Sequence, residues 1–341
     1  MHIAIFAYSR RGCETADRVR AVLAGPGDGC RACTPEKYRR EGFEAITPPS
    51  SQFIRHMFQW ADAMVFVGAC GIAVRSIAPW VRDKRTDPAV LVVDERGQFV
   101  ISLLSGHIGG ANALAVRLAE ALGATSVVTT ATDVNGRFSV DTWATENGLY
   151  IDSMSAVKAV SAAILDGPVP LAGDFPVRGK LPPGVVRGEK GPVGICVSWR
   201  KRKPFVQTAL LVPPILRLGV GCRKGTGAET IAALVDEVLE ENSVHPMAVK
   251  AAASIDLKKE EPGLLAFCKE RGWPAEFYTA EELTEVEGDF TSSAFVHSVA
   301  GVDNVCERAA MKHAARLLVR KTARDGVTVA LAAEHWEVRF D

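Results

Sequence analysis

The residues best placed to do chemistry lie in one stretch, Ser102-Leu103-Leu104-Ser105-Gly106-His107-Ile108-Gly109-Gly110-Ala111-Asn112. It joins the end of an apolar, strand-like run to the start of a helix-like one, the place where α/β sheets present ligands. Unpaired N–H groups and the helix dipole there favour an anion or a developing oxyanion, and one such donor is typically worth about 3–4 kcal/mol. Gly106, Gly109 and Gly110 remove side chains that would keep a substrate from the backbone. His107 brings the one side chain that titrates near neutrality, suited to general acid or base work, and Ser105, Gly106 and Asn112 join it as catalytic candidates. A glycine-rich turn with a capping Ser105 and a histidine bonded to backbone is equally open, because the pattern is neither GxGxxG nor a Walker loop.

A second junction of this kind is Gly221-Cys222-Arg223-Lys224-Gly225-Thr226-Gly227-Ala228-Glu229. Two cations and two glycines before a helix suit a carboxylate or phosphate, and Thr226 with Glu229 predicts a capping box. Lys224 precedes Gly225 instead of following the last glycine, which argues against a nucleotide triphosphatase. Cys222 has no neighbouring histidine to serve as its base and reads as a packed residue.

Smaller candidates lie where strands should end. Arg75 follows the Cys70-Gly71 turn, and Thr129-Thr130-Ala131-Thr132-Asp133 offers hydroxyls and a carboxylate that could bind substrate or cap a helix. Lys258 and Glu260 follow another strand, and Ser292-Ser293 sit in a loop. Glu307 stands three residues after Asn304, a spacing that by itself argues for capping.

These residues need elements to hold them. The chain alternates short β-like runs (His2 to Tyr8, Ala63 to Ala69, Ala89 to Asp94, Gln98 to Leu103, Ser126 to Thr129) with helical spacing at Glu14 to Leu23 and from Ile108 onward. Between Gly167 and Pro214 the texture changes: nine of the chain's 18 prolines fall there, with the basic run Arg200 to Lys203 as a solvated hairpin tip. Alternation then resumes, with strands at Ile215 to Gly221, Ala251 to Ile255 and Ala275 to Tyr278, helices at Glu229 to Glu240 and Asn304 to Val319, and a closing hairpin from Val327 to Ala332 and Trp336 to Phe340. The expected architecture is α/β: two three-layer α/β/α domains with largely parallel sheets, residues 1–140 and 215–341, joined by a small Pro/Gly-rich, β-containing middle module at 141–214.

Composition sets the outer limits. Forty Lys plus Arg balance 40 Asp plus Glu, so charge gives no reason to expect nucleic acid or an anionic membrane. No apolar stretch approaches the ~20 residues of a membrane span, and the start lacks the basic region of a signal peptide. Eight irregularly spaced Cys predict a reducing, cytoplasmic setting, and neither the seven His nor Cys30-x-x-Cys33 has metal-ligand spacing. No G-x-S-x-G announces a serine hydrolase.

Several of these stretches carry a resemblance. Gly71-Ile72-Ala73-Val74-Arg75 with Ile77-Ala78-Pro79, Asp83-Lys84 through Asp87-Pro88-Ala89, Leu103 through Asn112, and Thr129 through Asp133 resemble the CbiG family of cobalamin biosynthesis. In the carboxyl-terminal half the same family is matched by Gly221-Cys222-Arg223-Lys224-Gly225-Thr226, Ser254-Ile255-Asp256-Leu257-Lys258 and Gly301-Val302 leading to Glu307. Cys306 and Arg308 depart from the family's alanine-rich final helix.

The resemblance implies hydrolysis of the δ-lactone of cobalt-precorrin-5A with loss of acetaldehyde, on the anaerobic route to vitamin B12. Cobalt then arrives inside the substrate, and no cofactor of the protein's own is expected. His107 is the expected general base toward water, with Asp133 or Glu307 as alternatives, and the amides of Gly106 to Gly110 the expected oxyanion donors. Arg75, Gly109, Gly110, Thr129, Thr130, Cys222, Arg223, Lys224, Gly225, Thr226, Lys258 and Ser293 are the expected substrate contacts, the cations holding peripheral carboxylates of a large flat ring. A non-catalytic corrinoid carrier and a phosphate-ester enzyme are the rival classes. Homo-oligomerisation and transient contact with other cobalamin-pathway enzymes stay open.

Overall fold

The structure, a computed structural model, describes every residue except Pro26, Lys84, Arg85, 292–302 and Asp341. The chain divides into two compact units, Met1–Thr142 and Trp143–Asp341.

In the first unit the elements run β1 (His2–Ala7), α1 (Arg10–Leu23), β2 (Gly29–Thr34), β3 (Phe43–Ala45), α2 (Ser50–Trp60), β4 (Ala63–Val67), α3 (Cys70–Ile77), β5 (Ala89–Val93), β6 (Phe99–Leu104), α4 (Ala111–Leu122), β7 (Thr125–Val127), α5 (Ala131–Val134) and α6 (Val140–Glu146), whose last turn runs into the second unit. The strands form one sheet in the order β3-β2-β1-β4-β5-β6-β7. β4 and β5 are apolar at every position because both faces of the sheet are covered. On one face Ile3, Ile5 and Ala7 pack against Ala16, Val19 and Leu23 of α1 and Ala115 and Leu118 of α4. On the other, Ala4 and Phe6 meet Ile54, Met57 and Phe58 of α2 and Ala73 and Ile77 of α3. This is the expected three-layer arrangement.

One pairing decides where the chemistry sits. β5 and β6 are antiparallel, joined through Glu95-Arg96-Gly97, where Asp94 Oδ1 accepts from the amides of Gln98 and Phe99. β7 then runs parallel to β6. Val67 pairs with Val93 and Val93 with Val100, whereas Leu104 pairs with Val90. The carboxyl ends of β6 and β7 therefore lie at the sheet edge opposite those of β4 and β5.

The second unit continues with β8 (Tyr150–Ile151), α7 (Met154–Asp166), β9 (Val169–Gly173), β10 (Val177–Arg178), β11 (Val185–Arg187), β12 (Val193–Val197) and β13 (Gln207–Val212). Five of these strands form the sheet β11-β9-β12-β13-β8, parallel except for β8. Next come β14 (Leu216–Cys222), α8 (Ala228–Glu241), β15 (Val249–Ile255), α9 (Pro262–Arg271), β16 (Ala275–Tyr278), α10 (Ala280–Thr284), α11 (Val305–Met311), β17 (Arg316–Arg324), β18 (Val327–Ala333) and β19 (Val338–Arg339). Their sheet, β16-β15-β14-β18-β17, is mixed: the β14–β15 and β15–β16 pairs are parallel, while β17 and β18 join antiparallel. One apolar cluster runs from Cys196, Trp199, Leu210 and Val212 through Leu218, Leu234 and Leu331, so residues of the Pro-rich region share a core with the carboxyl-terminal sheet.

Three expectations are corrected here. The helix predicted over Asn304 to Val319 stops at Met311, because Arg316 onward pairs with β18, and ladder bonding outweighs a helical pattern in the sequence. β18 makes its hairpin with β17 through Asp325-Gly326, and Val338–Arg339 pairs instead with β10. The run Arg200 to Lys203 is no hairpin tip, since it links the parallel neighbours β12 and β13; Lys201 pairs with Glu240, Arg202 with Asp174 and Glu189, and Lys203 with Asp152.

Candidate active site

β6 ends at Leu104 and hands the chain to a tight loop. Ser105 takes a left-handed conformation (φ 57°) and donates from Oγ to the Asp87 carbonyl at 3.1 Å, tying the loop to the segment before β5. A non-glycine residue held there costs of order 1 kcal/mol and marks a site the surroundings over-determine. The amides of Gly110, Ala111 and Asn112 turn back onto the carbonyls of His107, Ser105 and Gly106. Gly110 is thus withdrawn from the expected oxyanion donors, which narrows to the stretch from Gly106 to Gly109. Glycine is required at two places: a Cβ on Gly109 would come 2.4 Å from the Ser105 Cβ, and one on Gly106 would come 2.6 Å from Asn112 Oδ1.

The turn aims His107 at α5 and the start of α6. Its Nε2 lies 2.8 Å from Asp133 Oδ2 and 3.4 Å from Thr132 Oγ1. Its Nδ1 lies 3.2 Å from Ser139 Oγ and 3.3 Å from Asp141 Oδ1. Asn112, at the start of α4, donates from Nδ2 to Asp133 Oδ2 at 3.1 Å and to Thr130 Oγ1 at 3.0 Å, while its Oδ1 accepts from Ser102 Oγ at 2.6 Å. A carboxylate can only accept, so the amide must face Asp133 with its nitrogen.

The result is an imidazole between two carboxylates of unlike exposure. Asp141 is 3% exposed, Asp133 39%, and the His107 ring 16%. The hydrogen bond with Asp141 is the largest influence on His107 and raises its pKa above the ordinary imidazole value; burial opposes it, and Asp133 adds to it. The ring is thus biased toward the cation, a donor on both nitrogens. Asp133 Oδ2 accepts from both His107 and Asn112.

Ser105, Gly106, His107, Gly109, Gly110, Asn112, Thr130 and Asp133 are therefore brought together, with Thr129 exposed just before them. Arg75 is not: it is an exposed residue in the last turn of α3, which starts from the carboxyl end of β4 at the other sheet edge. Ser139 and Asp141 carried no sequence signal, for they belong to no motif and approach His107 only through the fold.

The basic junction belongs to the second unit. Arg223 and Lys224 are exposed at the turn from β14 to α8, where Gly225 (φ 81°) donates its amide to Glu261 Oε1 at 2.7 Å. Lys258 Nζ reaches Glu261 Oε2 at 3.0 Å, so Lys258 and Glu261 brace this loop, and Lys258 is not an uncommitted cation. The capping box does not form. Gly227 is the N-cap without a side-chain bond, and Thr226 Oγ1 donates instead to the Arg223 carbonyl at 2.9 Å. Burial pushes the Cys222 thiol above its ordinary pKa, which makes it a packed thiol and not a nucleophile.

Glu307 is corrected as well. It has no exposed surface, and its carboxylate accepts from Thr291 N at 2.7 Å, Thr291 Oγ1 at 2.9 Å and Lys321 N at 2.6 Å. Such a carboxylate ties chain segments together; the Asn304 side chain caps the helix at the Glu307 amide, as the spacing predicts. Ser292 and Ser293 lie outside the described residues. Among the described residues no group of three or more His, Cys, Asp or Glu is disposed to hold a metal ion, and no helix is long and apolar enough to cross a membrane.

Fold and site together define an α/β protein whose glycine-rich loop presents a carboxylate–imidazole pair to solvent. Residues 52–133 match the model described as cobalamin synthesis G N-terminal, 138–214 the cobalamin biosynthesis central region, and 216–332 the cobalamin synthesis G C-terminus. The chain is 39% identical to the cobalt-precorrin-5A hydrolase of Salmonella typhimurium, with 98% of each chain covered. It is 32% identical to the enzyme of that name from Priestia megaterium, over 81% of this chain and 80% of the relative. A solved cobalamin biosynthesis protein G homolog from Sulfolobus solfataricus is 21% identical, with 98% and 97% of the chains covered and a TM-score of 0.41. The chain belongs to the CbiG family.

Proposed function

We propose that this protein hydrolyses the δ-lactone of cobalt-precorrin-5A and releases the two-carbon unit as acetaldehyde, giving cobalt-precorrin-5B in anaerobic vitamin B12 biosynthesis. Identity to curated hydrolases across nearly the whole chain supports the reaction. The single observation that carries the chemistry is the half-exposed Asp133 carboxylate held by His107 and Asn112 on the glycine-rich loop.

Asp133 is the base, the alternative that the raised proton affinity of His107 favours. Its Oδ1 takes a proton from water as the water oxygen bonds to the lactone carbonyl carbon. The amides between Gly106 and Gly109 face the charge that builds on the carbonyl oxygen. The ring C–O bond then breaks, and the alkoxide collects the proton held at Asp133. In the second step the same carboxylate removes the hydroxyl proton while the carbon–carbon bond breaks. The carbonyl of acetaldehyde forms, and the electron pair passes to the conjugated macrocycle, which is then protonated. His107 Nε2 holds Asp133 by Oδ2 and keeps the carboxylate in place between steps.

Cobalt belongs to the substrate, and the reaction calls for no cofactor held by the protein. Arg223 and Lys224 are proposed to pair with peripheral carboxylates of the corrinoid. We place the reaction in the cytoplasm, with a small molecule as partner and neither nucleic acid nor membrane. The test is incubation with the lactone-bearing cobalt intermediate, following the corrinoid by mass and trapping the aldehyde. Loss of two carbons with stoichiometric acetaldehyde is expected, and an unchanged corrinoid would reject the proposal.

A further inference from the structure

Asp141 stands out because it is the most enclosed acid around the loop and has no part in the steps above. At 3% side-chain exposure, its carboxylate would be costly to keep charged without partners. Oδ1 has them: Ser139 Oγ donates at 2.9 Å, the Thr142 amide lies at 3.2 Å, and His107 Nδ1 lies at 3.3 Å. Ser139 Oγ also touches His107 Nδ1 at 3.2 Å and Thr142 Oγ1 at 2.8 Å, so one hydroxyl braces the ring and the acid together. The charged groups facing the ring are Asp133 from α5 and Asp141 from α6, with the hydroxyls of Thr132 and Ser139 beside them.

We infer that Asp141, braced by Ser139, is a positioning residue for the reaction proposed above: it holds His107 by Nδ1, so that Nε2–H is always the edge presented to Asp133. A buried acid on one ring nitrogen fixes the orientation of the other, the same logic by which enclosed carboxylates orient catalytic imidazoles elsewhere. Without it the ring is free to turn, and Asp133 loses the Nε2 edge that holds it in place.

The test compares Asp141→Asn, Asp141→Glu and Ser139→Ala with the intact protein in two readouts. The first is the titration of the His107 ring followed by nitrogen-15 NMR, which needs no substrate. Asp141→Asn should lower the pKa of His107, and Asp141→Glu should restore most of it. The second is the pH profile of acetaldehyde release, where Asp141→Asn should lower turnover by about 10²-fold, shift the profile in the same direction as the ring titration and leave KM little changed. Ser139→Ala should do the same to a smaller degree. If Asp141→Asn leaves the ring titration where it was and only lowers Tm, Asp141 is structural and the inference falls. It falls too if the ring titration moves and the pH profile does not. Failure of the intact protein to release acetaldehyde would reject the proposed function, while the NMR titration still decides whether Asp141 orients the ring.

Discussion

Replacing Asn112 by Asp sets a second carboxylate against Asp133. Asn112 is 8% exposed, and its Nδ2 lies 3.1 Å from Asp133 Oδ2. The substitution keeps the volume and the acceptor toward Ser102, but it turns the donor facing Asp133 into a charged acceptor. Two unit charges at that separation repel by about 5 kcal/mol at an effective dielectric constant of about 20. The repulsion makes the pair hold on to one proton well above the ordinary carboxyl range. The sign follows from linkage. A carboxyl group whose folded pKa is raised binds a proton more tightly in the folded state, so the penalty is absent in acid and grows as pH rises. The assay is Tm of Asn112→Asp against the intact protein from about pH 4 to about pH 8. At about 2–4 °C per kcal/mol, the deficit should widen by about 10–20 °C across that range. Asn112→Ala is the control: it loses the same hydrogen bonds without adding charge, and its deficit of about 1–3 kcal/mol should not depend on pH in this way. An Asn112→Asp deficit that stays constant would refute the arrangement of Asn112, Asp133 and His107.

Further outcomes follow from the same geometry. Because the folded pKa of His107 is raised, its stabilising contribution is fully present below the unfolded value of about 6.5 and fades as pH climbs through the folded value. His107→Gln should therefore lose stability most in mild acid, and it should cut turnover by a factor of about 10² or more; equal denaturation curves at both ends of the range would contradict the ion pair. The double substitution Arg223→Ala with Lys224→Ala should weaken corrinoid binding roughly tenfold, from two exposed pairs worth up to about 1 kcal/mol each, and leave saturated turnover nearly unchanged. Unaltered affinity in a spectroscopic titration would remove these cations from the binding surface.

The loop from Ser105 to Asn112 and the Thr129–Asp133 cluster are legible in the sequence, because each combines small or polar residues with a strand-to-helix junction, and β6 and β7 run parallel. Arg75 misleads because nothing in the residues of β6 says that it turns back antiparallel to β5; that one hairpin moves the strand ends to opposite edges. The buried acid is invisible for another reason. Asp141 lies 34 residues beyond His107, and only α5 and the turn before α6 bring the two together. Thr226 and Glu229 have capping-box spacing, yet the Arg223 carbonyl competes for the Thr226 hydroxyl and wins. Arg316 to Val319 reads as helix because local periodicity cannot register a ladder partner supplied by β18, which follows it in the chain.

The most direct measurement is single-turnover release of acetaldehyde from the bound lactone by the intact protein and by Asp133→Asn, at matched substrate occupancy. The account predicts a prompt stoichiometric release from the first and a rate lower by about 10²-fold or more from the second, with corrinoid affinity retained. Equal rates from the two proteins would show that the proton is taken by some other group, and the assignment of the site would be wrong.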